Sequence, residues 1–281
     1  MKFTKGKIVT LVSAGLIAGV LAAGNVVCHT FDGVITQALC GTGISFEGEE
    51  VAKSQAIGDE LCREIGREGF VLLKNAQKSN GKKTLPLDES LTKVNVFGAN
   101  ATDCLFLLKG VGSGSSTINP EKQVTFLKAL TNNGISYNEN IINAYKGKTL
   151  SRSEKSYNIV DYSKDFYTTD MLEQAKTFSN TAIYVISRTG GENMGEIPTN
   201  QTVVTQNGTT TDNSRTYLDT TQNEEEVLTL LKENFENVIL IVNTANTMHL
   251  SFLEKNVVDA CMFVGLTGQS STMSIPELLW G

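Results

Sequence analysis

Ala182-Ile183-Tyr184-Val185-Ile186 is an uninterrupted apolar run, and Ser187-Arg188-Thr189-Gly190-Gly191-Glu192 carries it into a carboxylate on a glycine-softened loop. A strand that is apolar at every position, rather than at alternate ones, is what burial on both faces of a parallel sheet requires. In open α/β sheets, ligands bind beyond the carboxyl ends of the strands, where loops converge. Glu192 is therefore the first residue to consider for acid or base chemistry.

The flanking pattern repeats the unit. Before the run, residues 170–178 read as a helix, with Asp170 and Glu173 at capping-box spacing and Met171, Ala175 and Phe178 on one face. After it, Thr221 and Glu224 make a second capping box. Val227, Leu228, Leu231 and Phe235 form the buried stripe, and 238–242 is again continuously apolar. A short helix at 250–255 and a run at 260–265 follow. Upstream, Val51, Ile57, Leu61 and Ile65 recur at helical spacing, with Glu60–Arg63 and Glu64–Arg67 as i,i+3 pairs on the other face. Strands are expected at 70–73 and 94–98, separated by turns at Asn80-Gly81 and Pro86, and a helix at 123–131 closes on Asn133-Gly134. The expected fold is α/β, a three-layer α/β/α sandwich with a mostly parallel sheet, preceded by an N-terminal hydrophobic helix.

Lys2, Lys5 and Lys7 precede the apolar segment 8–27, which suits a signal peptide or an uncleaved membrane anchor. Its length, about 30 Å as a helix, favours the anchor, while Ala22, Ala23 and Gly24 resemble a cleavage site. Either way the remainder is exported, to the outer face of the membrane or beyond it. The expected division is a leader at 1–27, a linker at 28–48 and one domain at 49–281. The net charge of −6 and the lack of a basic stripe remove the electrostatic term that drives nucleic-acid binding. Five scattered cysteines make no disulfide scaffold, and two histidines without a CxxC or HExxH motif make no metal site.

Two connections exceed what the plan needs. Residues 188–220 are rich in Thr, Asn and Gly, whereas connections beyond roughly 12–15 residues are usually functional or disordered. The other follows Phe97 and contains Gly110, Gly112, Ser113 and Gly114, where backbone can approach a ligand closely. It lacks the Walker lysine and the Rossmann spacing, so no nucleotide site is expected. Arg188 is a candidate for a carboxylate or a sugar hydroxyl. Glu196, also preceded by glycine, reads as a solvated carboxylate, His249 as structural and Trp280 as core packing.

The segments REGFVLLKN (67–75), TLPL (84–87), VNVFGANATD (94–103), KGVGSGSS (109–116), AIYVISRTGGE (182–192) and GLTGQSSTMSIPELLWG (265–281) resemble, in this order, the α/β sandwich domain of glycoside hydrolase family 3. The resemblance implies β-glucosidase-type chemistry, the retaining hydrolysis of β-linked sugars from oligosaccharides or glycosides, with no cofactor. It makes Glu192 the general acid/base and the loop of Gly112 and Ser113 a lining of the sugar site, the alternative for that loop being an ordinary tight turn and for Arg188 a solvated side chain. The nucleophilic aspartate would come from a (β/α)8 barrel. Relatives commonly continue G-E-G-x-D-R, whereas Asn193-Met194-Gly195 follows here, leaving the sugar-contacting Asp-Arg pair without a counterpart. A barrel needs about 250 residues, which the sandwich leaves no room for. The expectation is the leading, sandwich-first part of a longer exported glycosidase, incomplete at its C-terminal end and inactive alone. The competing expectation is a noncatalytic, surface-displayed carbohydrate-binding or interaction module. A periplasmic-binding-like receptor is disfavoured by the lack of a second lobe.

Overall fold

The computed structural model describes residues 4–40, 48–112, 118–146, 150–153 and 155–281. The chain divides into a unit at 1–55 and a unit at 56–281.

In the first unit, α1 (Lys5–Thr30) carries the apolar segment 8–27 and buries none of its residues. Its most apolar window has a mean hydropathy of 2.0, enough by length and composition for a membrane span. Thr10 returns its hydroxyl to the Gly6 carbonyl, which keeps the donor satisfied within the helix. α2 (Asp32–Cys40) follows, so part of the expected linker is helical.

The second unit holds most of α3 (Glu49–Gly69), then β1 (Val71–Asn75), β2 (Lys93–Phe97), α4 (Phe126–Asn132), β3 (Ser136–Tyr137), α5 (Glu139–Lys146) and β4 (Ile159–Val160). It continues through α6 (Thr169–Phe178), β5 (Thr181–Arg188), β6 (Gln201–Thr205), β7 (Gly208–Asp212), α7 (Gln222–Asn234), β8 (Asn237–Thr244), β9 (Ala260–Phe263) and α8 (Ser274–Trp280). The main sheet has the order β1-β9-β8-β5-β2-β3. All its neighbours are parallel except the edge pair β1–β9. Every residue of β5 and β8 is buried, as the continuous apolar runs require. The expected α/β sandwich is the observed fold.

Strand order locates the functional end. From β2 the chain moves outward to β3, returns to β5 on the other side of β2, and then proceeds through β8 to β9. The direction reverses between β2 and β5. That is a topological switch point, and the crevice beyond the carboxyl ends of those two strands is where open α/β sheets place their ligands.

Three local expectations change. α6 is capped by Thr168, whose side chain accepts from Met171 N, so the helix begins before Asp170 and that residue sits in its first turn. The connection 188–220 is not an open loop: β6 and β7 form a hairpin that joins β4 in a second, three-stranded sheet. α3 forms as expected, yet Ile57, Leu61 and Ile65 are exposed and its polar face does the packing. Arg63 and Arg67 both reach Glu277, and the hydroxyls of Ser271 and Ser274 donate to the carbonyls of Cys62 and Arg63. Arg67 thus pairs with Glu60 and Glu277, not with Glu64, because long-range partners displace the local one.

Candidate functional site

Two strand-end loops meet at the switch point. The loop after β2 and the loop after β5 are joined by an isolated parallel bridge between Val111 and Gly191. Val111 N donates to Gly190 O at 3.3 Å, and Glu192 N donates to Val111 O at 3.0 Å. Glycine is required for this approach. A Cβ on Gly191 would lie 1.9 Å from Val111 O, and one on Gly112, whose φ is +126°, would lie 2.5 Å from Glu192 Cβ. Gly112 is therefore packed directly against Glu192. Ser113 lies outside the described residues.

Glu192 itself is exposed at the end of this bridge. The strap that carries it, residues 189–192, is fixed from below. Thr189 O accepts from Tyr217 Oη at 3.0 Å and from Asn246 Nδ2 at 2.8 Å. Ala245 N donates to Arg188 O, which ties the strap to the loop after β8. A cavity of about 340 Å³ adjoins the bridge and is lined in part by Asp103, Lys109, Gly110, Val111, Arg152 and Thr189.

Arg188 is not placed to touch a sugar. Its side chain is fully buried and pairs with the equally buried Glu224 through two contacts of 2.7 Å. Its remaining donors reach the carbonyls of Tyr217, Asp219 and Ser187. All five N–H groups of the guanidinium are thereby used. Burial acts to lower its pKa, but the charge and hydrogen bonds of Glu224 outweigh it and hold the guanidinium above its ordinary value. The expected substrate contact is corrected to an internal anchor: Ser187-Arg188 ends a strand buried on both faces, and the side chain turns inward to the helix α7 cap.

Glu196 is exposed, as its solvated reading requires. His249 is exposed too, with Nδ1 2.7 Å from Asp219 Oδ1. Trp280 packs against the core and donates Nε1 to Leu91 O at 2.8 Å.

Several site residues carry no sequence signal. Asn243, wholly buried near the end of β8, bonds to three strand-end segments. Arg152 donates to Leu105 O and Asn100 Oδ1 beneath the loop after β2, and burial lowers its pKa. Asp161 is completely buried and accepts from Ala99 N, Tyr162 N and Tyr184 Oη. Burial pushes its carboxyl up to about 7 against those three donors.

The family model for the glycosyl hydrolase family 3 C-terminal domain matches residues 70–281. The chain belongs to glycosyl hydrolase family 3. Among its relatives, this family 3 chain is 28% identical over 233 residues to a beta-glucosidase of Ruminococcus albus, covering 77% of the chain and 21% of that protein. It is 27% identical over 218 residues to beta-glucosidase A of Butyrivibrio fibrisolvens, covering 74% and 25%. Among solved structures, a beta-glucosidase of Paenibacillus barengoltzii superposes with a TM-score of 0.59 at 25% identity, over 79% of this chain and 23% of that one. Beta-glucosidase 3B of Thermotoga neapolitana shares the fold, with a TM-score of 0.58 at 20% identity over 79% and 28%. The chain thus spans a fifth to a quarter of the length of the curated relatives it matches.

Proposed function

We propose that this family 3 chain supplies the general acid/base, Glu192, of an exported retaining β-glycosidase whose nucleophilic aspartate stands on a (β/α)8 barrel. The observation that carries the reading is the placement of Glu192: exposed, beyond the switch point between β2 and β5, and held by backbone hydrogen bonds to the loop bearing Gly112. A retaining mechanism sets two carboxyl groups roughly 5–5.5 Å apart. In the first step the nucleophile attacks the anomeric carbon while Glu192 gives its proton to the glycosidic oxygen, and the alcohol departs. In the second, the Glu192 carboxylate takes a proton from water as that water attacks the anomeric carbon, freeing the sugar and the nucleophile. The substrate is a β-linked oligosaccharide or glycoside. Gly112 lines the sugar's side of the interface. α1 serves as leader or membrane anchor, which puts the catalytic part on the outer side of the membrane.

The test begins with the coding sequence that surrounds the chain, followed by expression of the whole reading frame with and without Glu192→Gln. On glycosides with poor leaving groups the substitution is expected to lower kcat/KM by roughly 10²–10⁴-fold, with much less effect on dinitrophenyl glycosides. Unchanged turnover of the poor leaving group overturns the acid/base assignment. A whole protein that binds oligosaccharide equally well with either residue and turns over neither substrate is a noncatalytic carbohydrate-binding module instead.

A further inference from the structure

Asn243 stands beside Ser187 in the register of β8 and β5, at the level where the strands give way to their loops. Its side chain is completely buried, and each of its hydrogen-bonding positions is occupied. Oδ1 accepts from Leu107 N at 2.6 Å and from Ser187 Oγ at 3.2 Å. Nδ2 donates to Leu107 O at 2.9 Å and to Gly265 O at 2.7 Å. One amide on β8 therefore ties together the segment after β2, the end of β5 and the segment after β9. Leu107 leads within four residues to Val111, whose carbonyl accepts from Glu192 N.

Neither the sheet nor the core needs an amide at this point. Strand pairing is made by backbone, and a side chain enclosed between buried strands is normally apolar. A buried amide is tolerated only where its bonds are complete, and complete polar networks specify one arrangement of what they join. What this one joins is the pair of loops that form the bridge under Glu192. Asn246 acts closer to the carboxylate: its Nδ2 holds Thr189 O, and its side chain fills the space a Cβ on Gly190 would need.

We propose that Asn243 is a positioning residue for Glu192, fixing the height of the loop after β2 against the strap after β5 so that the carboxylate meets the glycosidic oxygen. The proposal rests on the acid/base reading of Glu192. Small displacements of a catalytic group are costly, with about 1 Å worth up to about 100-fold in rate. Loss of position should thus resemble a partial loss of the acid.

The experiment compares Asn243→Asp, Asn246→Ala and Glu192→Gln in the whole enzyme, using one β-glycoside with a poor leaving group and one with dinitrophenolate. Asn243→Asp keeps the size and the acceptors but cannot make both donations at neutral pH. Its kcat/KM on the poor leaving group is expected to fall about 10- to 100-fold, with the kcat/KM of the dinitrophenyl glycoside affected severalfold less. Asn246→Ala, in a half-buried loop, should show the same selectivity more weakly, and it carries the test if Asn243→Asp does not fold. Equal losses on both glycosides, or no loss, overturn the positioning role. Because Glu192→Gln is read on the same two substrates, its own lack of selectivity would instead mark the failure of the acid/base reading.

Discussion

Arg188, the last residue of β5, and Glu192, on the loop that follows, lie four residues apart, and their surroundings are opposite. Arg188 is wholly enclosed, with every donor used and its charge met by Glu224. Glu192 is exposed and is located by its backbone, through the bridge to Val111. The first residue is fixed by side-chain electrostatics and the second by main-chain geometry. The difference shows how a carboxylate can be held at the surface by its main chain. Charge pairing lies beneath the strap, and the strap itself is held by hydrogen bonds between uncharged groups.

The largest effect should come from breaking the buried member of this comparison. Glu224→Gln leaves the Arg188 guanidinium enclosed without its counter-ion, while the glutamine oxygen can still accept from Thr221 N in the capping box. Uncoupling a buried pair typically costs about 3–5 kcal/mol. Urea denaturation should show a loss of that size, and replacing both partners together with apolar residues should recover much of it. A loss below about 1 kcal/mol would mean that the pair is not enclosed.

A second buried carboxyl sharpens the contrast by its pH dependence. Asp161 sits beneath the turn after β2 with its pKa raised to about 7, above its unfolded value. The folded protein then binds a proton that the unfolded chain has released, so stability falls as pH rises from about 4 to about 7 and levels off above. Asp161→Asn should abolish that slope and gain relative stability at pH 8. A wild-type profile flat over this range would show that the three donors to Asp161 outweigh its burial.

At the exposed member, Gly112→Ala forces a side chain into a left-handed backbone and against Glu192 Cβ. Strain of this kind is worth about 1–3 kcal/mol. The strap can yield here, however, so the loss should concentrate in turnover of poor leaving groups and be smaller in global stability. Unchanged turnover with Gly112→Ala would show that the contact does not set the position of Glu192.

What the sequence made legible was local. The continuous apolar runs of β5 and β8 announced a buried parallel sheet, and Thr221–Glu224 announced the start of α7. The resemblance of its motifs reached the family. Glu224's second role was invisible, since its partner is 36 residues away and the capping box already accounted for its presence. Arg188 misled for the same reason, as nothing local says that a strand-end arginine turns inward. The hairpin of β6 and β7 was read as loop because its threonines are polar, although Asn207-Gly208 is a turn signal in its own right. Asn243 could not be found at all. An asparagine at a strand end has meaning only once the order of β2, β5, β8 and β9 is known.

The smallest effect tests whether the two halves of the comparison are joined. Tyr217 contributes to both: its carbonyl accepts from Arg188 Nε at 3.0 Å, and its hydroxyl donates to Thr189 O. Tyr217→Phe removes only the second link and leaves the ring, which packs edge-on against Tyr157. Thr189 O keeps Asn246 Nδ2 as a donor, so no buried acceptor is orphaned and the cost should be about 0.5–1.5 kcal/mol. Adding Asn246→Ala removes the last side-chain donor to that carbonyl. The double variant should therefore lose more than the sum of the single ones, by denaturation and by the selectivity of turnover alike. Strict additivity would mean that Tyr217 and Asn246 do not share the hold on Thr189 O, and that the strap beneath Glu192 is steadied by its backbone bonds instead.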